Sequence, residues 1–274
     1  MGFEIPEILK VSKQMEDKLI GKKITDITLT EHSKSIIKQG MSNLDKRQND
    51  ILDIPITKIF PKGKWIFLEF QNNNLLMFGE IIGKFSYIEK GESLPLKYHI
   101  SFQFEDESSL TFQSSLYAFL TVATRDEKNQ HRYAGNIGPS PNESNFSLDY
   151  FLHVLSNNEK KPIKAALNTQ DQISGLGNAY INDILFESGI HPKRKVSDLN
   201  QIERSNIFDS IIKIITSAIT LEGSVDEFDL YGNLGKYSRI MDKNTHLCRK
   251  CGEKVIKENI LGSSSYFCPK CQKL

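Results

Sequence analysis

Apolar residues near the start of the chain fall at Ile5, Ile8, Leu9, Met15 and Leu19, spacings that suit one face of a helix ending near Gly21. The period then changes. In KITDITLTE, WIFLEF, NLLMFGEIIGKF, YHISFQFED and SSLTFQSS, apolar positions alternate with polar ones or run together, and Asn72-Asn73-Asn74 and Glu105-Asp106-Glu107 punctuate them. This pattern predicts an antiparallel sandwich or barrel after a single N-terminal helix. From residue 124 to 145 the chain turns polar, with two prolines and two glycines, which predicts a linker. Beyond it the period is helical again, over 148–155, 163–167, 178–187 and 199–221. No internal repeat or low-complexity tract interrupts the order. The fold class is therefore multidomain α+β, with a strand-rich half preceding a helical one.

Composition narrows the function classes. No apolar run approaches the length that spans a bilayer, so no membrane partner is expected. The start has no basic segment followed by an apolar one, which makes the cytoplasm the expected location. A myristoylation motif wants Ser or Thr where this chain has Pro6. Net charge is only +1, but its distribution is uneven: between Lys236 and Leu274 nine Lys and Arg face three acidic residues. A second basic cluster, His191-Pro192-Lys193-Arg194-Lys195, follows a helical pattern. Clustered cations on a nearly neutral chain fit binding to a phosphate backbone; solvated faces are the plainer alternative.

The last residues carry the most specific chemistry. Cys248 and Cys251 form one CxxC and Cys268 and Cys271 another, with sixteen residues between the pairs. Two such turns on a hairpin aim four thiolates at one point and complete a tetrahedral shell with no open position, so the expected ion is a structural Zn2+. Two disulfides are the alternative, disfavoured in a reducing compartment. These are all the cysteines of the chain, which leaves none as a nucleophile. A ribbon of this kind serves DNA, RNA and protein partners alike.

In QDQISGLGNAYINDILFESGIHPKRK, Gly175 and Gly177 precede a helix starting near Asn178, where exposed backbone amides would receive a phosphate or simply make a tight turn. That stretch, the long helix after it and the four-cysteine ribbon together resemble the formamidopyrimidine-DNA glycosylase and endonuclease VIII family of base-excision repair enzymes. The resemblance spans nearly the whole chain. It implies an N-terminal helix and β-sandwich over residues 1–123, a linker over 124–145, a helix-two-turn-helix domain over 146–240 and a zinc finger over 241–274. Gly138-Pro139-Ser140-Pro141 resembles the opening of the second domain and Phe60-Pro61-Lys62-Gly63-Lys64 the family's basic hairpin.

The same resemblance implies a DNA glycosylase with abasic-site lyase activity, acting on duplex DNA as a monomer. In the family an N-terminal proline amine attacks the sugar C1′ and an adjacent glutamate moves protons. Here Glu4 matches that glutamate, Phe3 stands in the place of the proline, and Gly2 precedes it. Gly2 is small enough for Met1 removal, and its amine, with an ordinary pKa near ~8, is the candidate nucleophile. Lys64 matches the phosphate-contacting lysine of the hairpin, Lys164 a second phosphate- or base-contacting lysine, and Asn178 the phosphate-holding asparagine. The finger has Ser263 where the family carries an arginine. The loop that inserts into the duplex reads QSSLYAF, which makes Leu116 and Tyr117 the candidate wedges, with strand packing as the alternative. Met77 and Ile81 share that ambiguity. Phe3 and Ser263 favour a competing reading, a catalytically silent protein that recognises abasic or distorted sites.

Overall fold

The computed structural model describes residues 2–31, 33, 34 and 39–274, and of Leu116 and Tyr117 it describes the backbone. It divides into two compact units, Met1–Asn136 with Val225–Gly235, and Ile137–Ser224 with Lys236–Leu274.

In the first unit α1 (Ile5–Leu19) starts where Pro6 sits in the first turn and the Glu7 carboxylate accepts the Glu4 N–H at 3.1 Å. These features satisfy an orphan donor and fix the entry angle of the chain. The helix buries Ile8, Val11, Met15 and Leu19, all on one face. A short helix, α2 (Leu44–Arg47), follows strand β1 (Ile24–Leu29). Strands β2 (Ile56–Lys62), β3 (Trp65–Phe70), β4 (Asn74–Ile88), β5 (Ile100–Phe104) and β6 (Ser109–Thr124) complete an antiparallel sheet in the order β1-β5-β6-β4-β3-β2. The sandwich read from the strand pattern is thus one continuous hydrogen-bonded sheet, whose two longest strands are broken in register. Pairing of Gly79 with Phe119 gives way to Ile82 with Tyr117 and then Gly83 with Ser114.

That break decides which side chains face the core. Before it Leu76 and Phe78 of β4 enter the main apolar cluster; after it Ile81, Phe85 and Tyr87 do. The even-numbered set has become an odd-numbered one, as a slip of one residue requires. Between them Glu80 takes a φ of +47°, a left-handed conformation unusual for a residue with a Cβ. All six strands and α1 contribute to this cluster, and Phe78, Phe85, Phe102 and Phe112 meet there ring to ring.

The polar segment after residue 123 is docked rather than a free linker. Thr124 and Glu127 form a reciprocal cap for α3 (Arg125–Gln130), and the His131 ring then meets Trp65 edge-on at 5.4 Å and Phe119 at 5.7 Å. This segment covers aromatic rings on the sheet face away from the main core. Residues 138–140 belong to the second unit, where Ser140 is fully buried and bonds Ser174 at 2.6 Å. Residues 225–235, expected within the helical domain, pack into the first unit. Leu230 is buried in its core, its carbonyl accepts the Tyr87 N–H at 3.0 Å, and Gln14 bonds both Asp229 and the Leu230 N–H.

The second unit holds α4 (Leu148–Ser156), α5 (Ile163–Leu167), α6 (Asn178–Glu187) and α7 (Gln201–Thr220), close to the four helices read from periodicity. α6 is buried almost all round, from Ala179 to Phe186. The hairpin β7 (Ile256–Ile260) and β8 (Ser263–Phe267) closes the chain. No helix among the described residues is long and apolar enough to cross a membrane.

Candidate nucleic-acid interface and metal centre

The four cysteines converge. Their sulfurs all lie within 4.8 Å of one another, with Cys248 to Cys271 at 3.8 Å and Cys251 to Cys268 at 3.5 Å. A tetrahedron with Zn–S bonds of ~2.3 Å has sulfur–sulfur edges of about 3.8 Å, whereas a disulfide needs about 2.05 Å. The donor set therefore fits a structural Zn2+ and not two disulfides. Cys248 and Cys268 share an apolar cluster with Phe186 and Met241, so the metal centre is anchored on α6.

A second anchor is Asp183, fully buried on the same helix. Its carboxylate accepts the Met241 N–H at 2.8 Å, the Ile240 N–H at 3.0 Å and the Tyr237 hydroxyl at 2.9 Å. Burial raises its pKa to about 6, against the pull of those donors. Asp183 thereby fixes the path of the chain into the finger. Periodicity alone gives no reason to single it out; an acid between Ile181 and the apolar run Ile184-Leu185-Phe186 is the available signal.

Lys164 is not on the surface, as a phosphate contact requires. It is 3% exposed, and its Nζ donates to the Ser265 hydroxyl at 2.6 Å, the Ser263 hydroxyl at 2.8 Å and the Ile260 carbonyl at 3.1 Å. Burial lowers its pKa to about 8. The lysine holds the β7–β8 hairpin from beneath. Asn178 braces the same hairpin, since its amide donates to the Ser264 carbonyl at 2.8 Å and its Oδ1 accepts the Ser263 hydroxyl at 3.0 Å. Ser263, where the resemblance expects an arginine, is thus a junction between Lys164 and Asn178.

The basic cluster at 191–195 is likewise largely committed within the chain. Arg194 pairs with Glu203 through both guanidinium nitrogens at 2.7 and 2.9 Å, Lys193 pairs with Glu258, and His191 is buried against Phe267. In the finger Lys250 donates to the last carbonyls of α6, those of Phe186 and Glu187. Lys243, Lys254 and Lys270 enter no ion pair among the described residues and remain as cations available to an external anion.

The first unit places the residues of the N-terminus against β4. Phe3 is 2% exposed, its ring lies 6.3 Å from that of Phe85, and its N–H donates to the Ile81 carbonyl at 2.8 Å. Phe3 is therefore a core anchor, and its nitrogen is a bonded peptide amide. Gly2 lies over the same strand so closely that an added Cβ would meet the Ile81 carbonyl and the Ile82 side chain, each at 3.1 Å. Glu4, 5% exposed, stands at the head of α1. Ile81 and Met77 are both buried in this structure. Leu116 and Tyr117 lie on β6, with their side chains outside the described residues.

Lys64 sits in the two-residue turn between β2 and β3, where Gly63 has a φ of +56° and Lys62 pairs with Trp65. The Lys64 carbonyl accepts the Glu80 N–H at 3.3 Å, and its ammonium lies 3.7 Å from the Glu80 carboxylate. Gly2, the Ile81 carbonyl, Glu80 and Lys64 are thus linked in one short chain of contacts. Glu80 is the member that sequence reasoning misses, although an acid between Gly79 and Gly83 in an apolar strand is a visible signal.

Comparison with known proteins agrees with this layout. Family models match in order: the formamidopyrimidine-DNA glycosylase N-terminal domain over residues 3–115, the formamidopyrimidine-DNA glycosylase H2TH domain over 137–229, and the zinc finger found in FPG and IleRS over 246–274. The chain is 27% identical to a formamidopyrimidine-DNA glycosylase of Streptococcus pneumoniae, covering 98% of both. It is 28% identical to that of Listeria innocua over 98% of this chain and 99% of the relative. Among solved structures, the complex of Lactococcus lactis Fpg with abasic-site DNA superposes with a TM-score of 0.84 at 25% identity, covering 99% of this chain and 100% of the other. The Lactococcus lactis Fpg complex with FAPY-dG DNA gives 0.85 with the same identity and coverage. With its β unit, helical unit and four-cysteine hairpin each matched in sequence and in order, the chain belongs to the formamidopyrimidine-DNA glycosylase family.

Proposed function

We propose that this chain is a base-excision-repair DNA glycosylase with abasic-site lyase activity, working as a monomer on damaged duplex DNA in the cytoplasm. The observation that carries this reading is the end-to-end likeness to Fpg held on abasic-site DNA, which extends over 99% of the chain. In this division of labour the β unit supplies the chemistry, and the helical unit with its zinc hairpin holds the backbone.

The nucleophile is the α-amine of Gly2, exposed once Met1 is removed. Phe3 is unsuited to the role because its nitrogen is bonded to Ile81 and its ring is sunk in the core. The unprotonated amine attacks C1′ of the damaged nucleotide and the base departs with the C1′–N bond electrons. The attacking nitrogen then loses a proton and the C1′–O4′ bond breaks, O4′ leaving as a hydroxyl, which opens the sugar to a Schiff base; this acidifies the C2′ hydrogen, and its removal expels the 3′ phosphate and breaks the strand. Glu4 at the head of α1 moves protons at the sugar, and Lys64 holds the neighbouring phosphate. Asn178 and the finger cations position the backbone, and Leu116 and Tyr117 fill the gap left by the extruded nucleotide.

Intact-mass measurement on the native protein is expected to show loss of Met1. Borohydride treatment on an abasic duplex is expected to trap a covalent adduct that maps to Gly2. Absence of any trapped adduct on a protein that has lost Met1 would overturn the Schiff-base route.

A further inference from the structure

Glu80 is held in an unfavourable conformation beside a cation. Its φ of +47° is one that residues with a Cβ rarely adopt, and such strain persists only where the surroundings impose it. Two bonds impose it here: the Glu80 N–H donates to Lys64, and the next residue, Ile81, accepts from Phe3. The kink turns the Glu80 side chain to Lys64, and the two carry side-chain exposures of 27% and 13%. Lys64 is therefore a mostly sheltered cation beside a carboxylate supplied by the protein itself, at 3.7 Å.

We propose that Glu80 is a positioning residue that stands in for a nucleic-acid phosphate on Lys64, so that binding a phosphodiester backbone exchanges an internal carboxylate for an external phosphate. The inference rests on the proposed function. A separation of 3.7 Å is a loose ion pair beyond hydrogen-bond reach, so the exchange breaks no close contact. While it lasts, however, the pair holds the lysine in its binding position and cancels its charge. Nonspecific duplex, whose loosely placed phosphates do not displace Glu80, then gains little from Lys64; a duplex seated against the terminus gains the full contact. Glu80 thereby trades affinity for selectivity.

The test is a cycle of Glu80→Gln, Lys64→Met and the double variant, binding intact and abasic-site duplexes across a salt series. Gln keeps the length and the backbone of Glu80 and removes only the charge. Glu80→Gln is expected to tighten intact duplex about three- to tenfold at low salt, to steepen the salt slope by about one, and to narrow the preference for the abasic duplex. The gain is expected to vanish when Lys64 is Met. Equal gains with and without Lys64, or no gain, overturn the exchange even if borohydride trapping succeeds. A Lys64-dependent gain on intact duplex supports it even if trapping fails. Absence of binding to either duplex by all variants overturns both readings.

Discussion

Lys64 and Lys164 present the same ammonium group in opposite settings. Lys64 occupies a turn, partly exposed, beside a carboxylate 3.7 Å away. Lys164 is 3% exposed and surrounded by hydroxyls and a carbonyl, with no acid among its described partners. A loosely held pair that still reaches solvent can exchange its anion, because no short hydrogen bond has to break and water meets both partners as they separate. A buried ammonium bound to neutral acceptors has no such freedom, since leaving any of them unsatisfied costs their desolvation. The first lysine is therefore suited to meet a ligand, and the second is architecture. Both match phosphate contacts by sequence, so residue type and position do not separate them; burial does.

The comparison breaks most severely if the metal is removed. Apparent binding free energies of structural zinc sites are of order 10 kcal/mol, and much of that is folding free energy of the hairpin. Cys268→Ser, or chelation, is expected to release the β7–β8 hairpin, expose residues 246–274 to proteolysis and abolish duplex binding. The checks are limited proteolysis and zinc release on the folded chain. Persistence of a protected hairpin without zinc would assign its stability to Lys164 and Asn178 instead.

A smaller effect is expected at Lys164. Lys164→Ala leaves the Ile260 carbonyl and the Ser263 and Ser265 hydroxyls without their donor, and about 2–4 kcal/mol of stability is expected to go with it, read from the urea midpoint. The sign of the pH dependence is also set. The folded pKa of about 8 lies below the ordinary 10.5, so between these values the unfolded chain binds the extra proton. Stability is therefore expected to rise from pH 8 towards 10.5, and this rise is expected to disappear in Lys164→Met.

The smallest effect on stability is expected from Lys64→Met, which leaves no hydrogen-bonded hairpin acceptor without its donor. Loss of one phosphate contact is expected to weaken binding of the abasic-site duplex about tenfold and lower its salt slope by about one, with the urea midpoint moved much less than by Lys164→Ala. A shift in the midpoint comparable to that of Lys164→Ala would erase the distinction between the two lysines.

Elements with strong local signals are legible without the fold. α1 shows in the spacing of Ile8, Met15 and Leu19, and the zinc centre in the two CxxC pairs, because each is specified by residues near one another in the chain. The second unit's α5 and α6 likewise match their periodicity. What sequence misreads depends on distant partners. The segment after residue 123 has the polar composition of a linker, yet His131 finds Trp65 and Phe119 on the sheet. Residues 225–235 follow a helix of the second unit in sequence, yet they belong to the first unit, with Leu230 in its core.

The candidate site divides in the same way. Sequence by itself determined the ligand set of the metal and the succession of a strand-rich half by a helical one, since short spacing and periodicity suffice for these. Only the tertiary structure decided that Phe3 is a core anchor, that Lys164 braces the hairpin with Ser263 and Asn178, and that Glu80 faces Lys64. A side chain's charge is written in the sequence. Whether that charge meets water, a hydroxyl or a carboxylate depends on strands and helices far apart along the chain, and that surrounding sets what the charge can do.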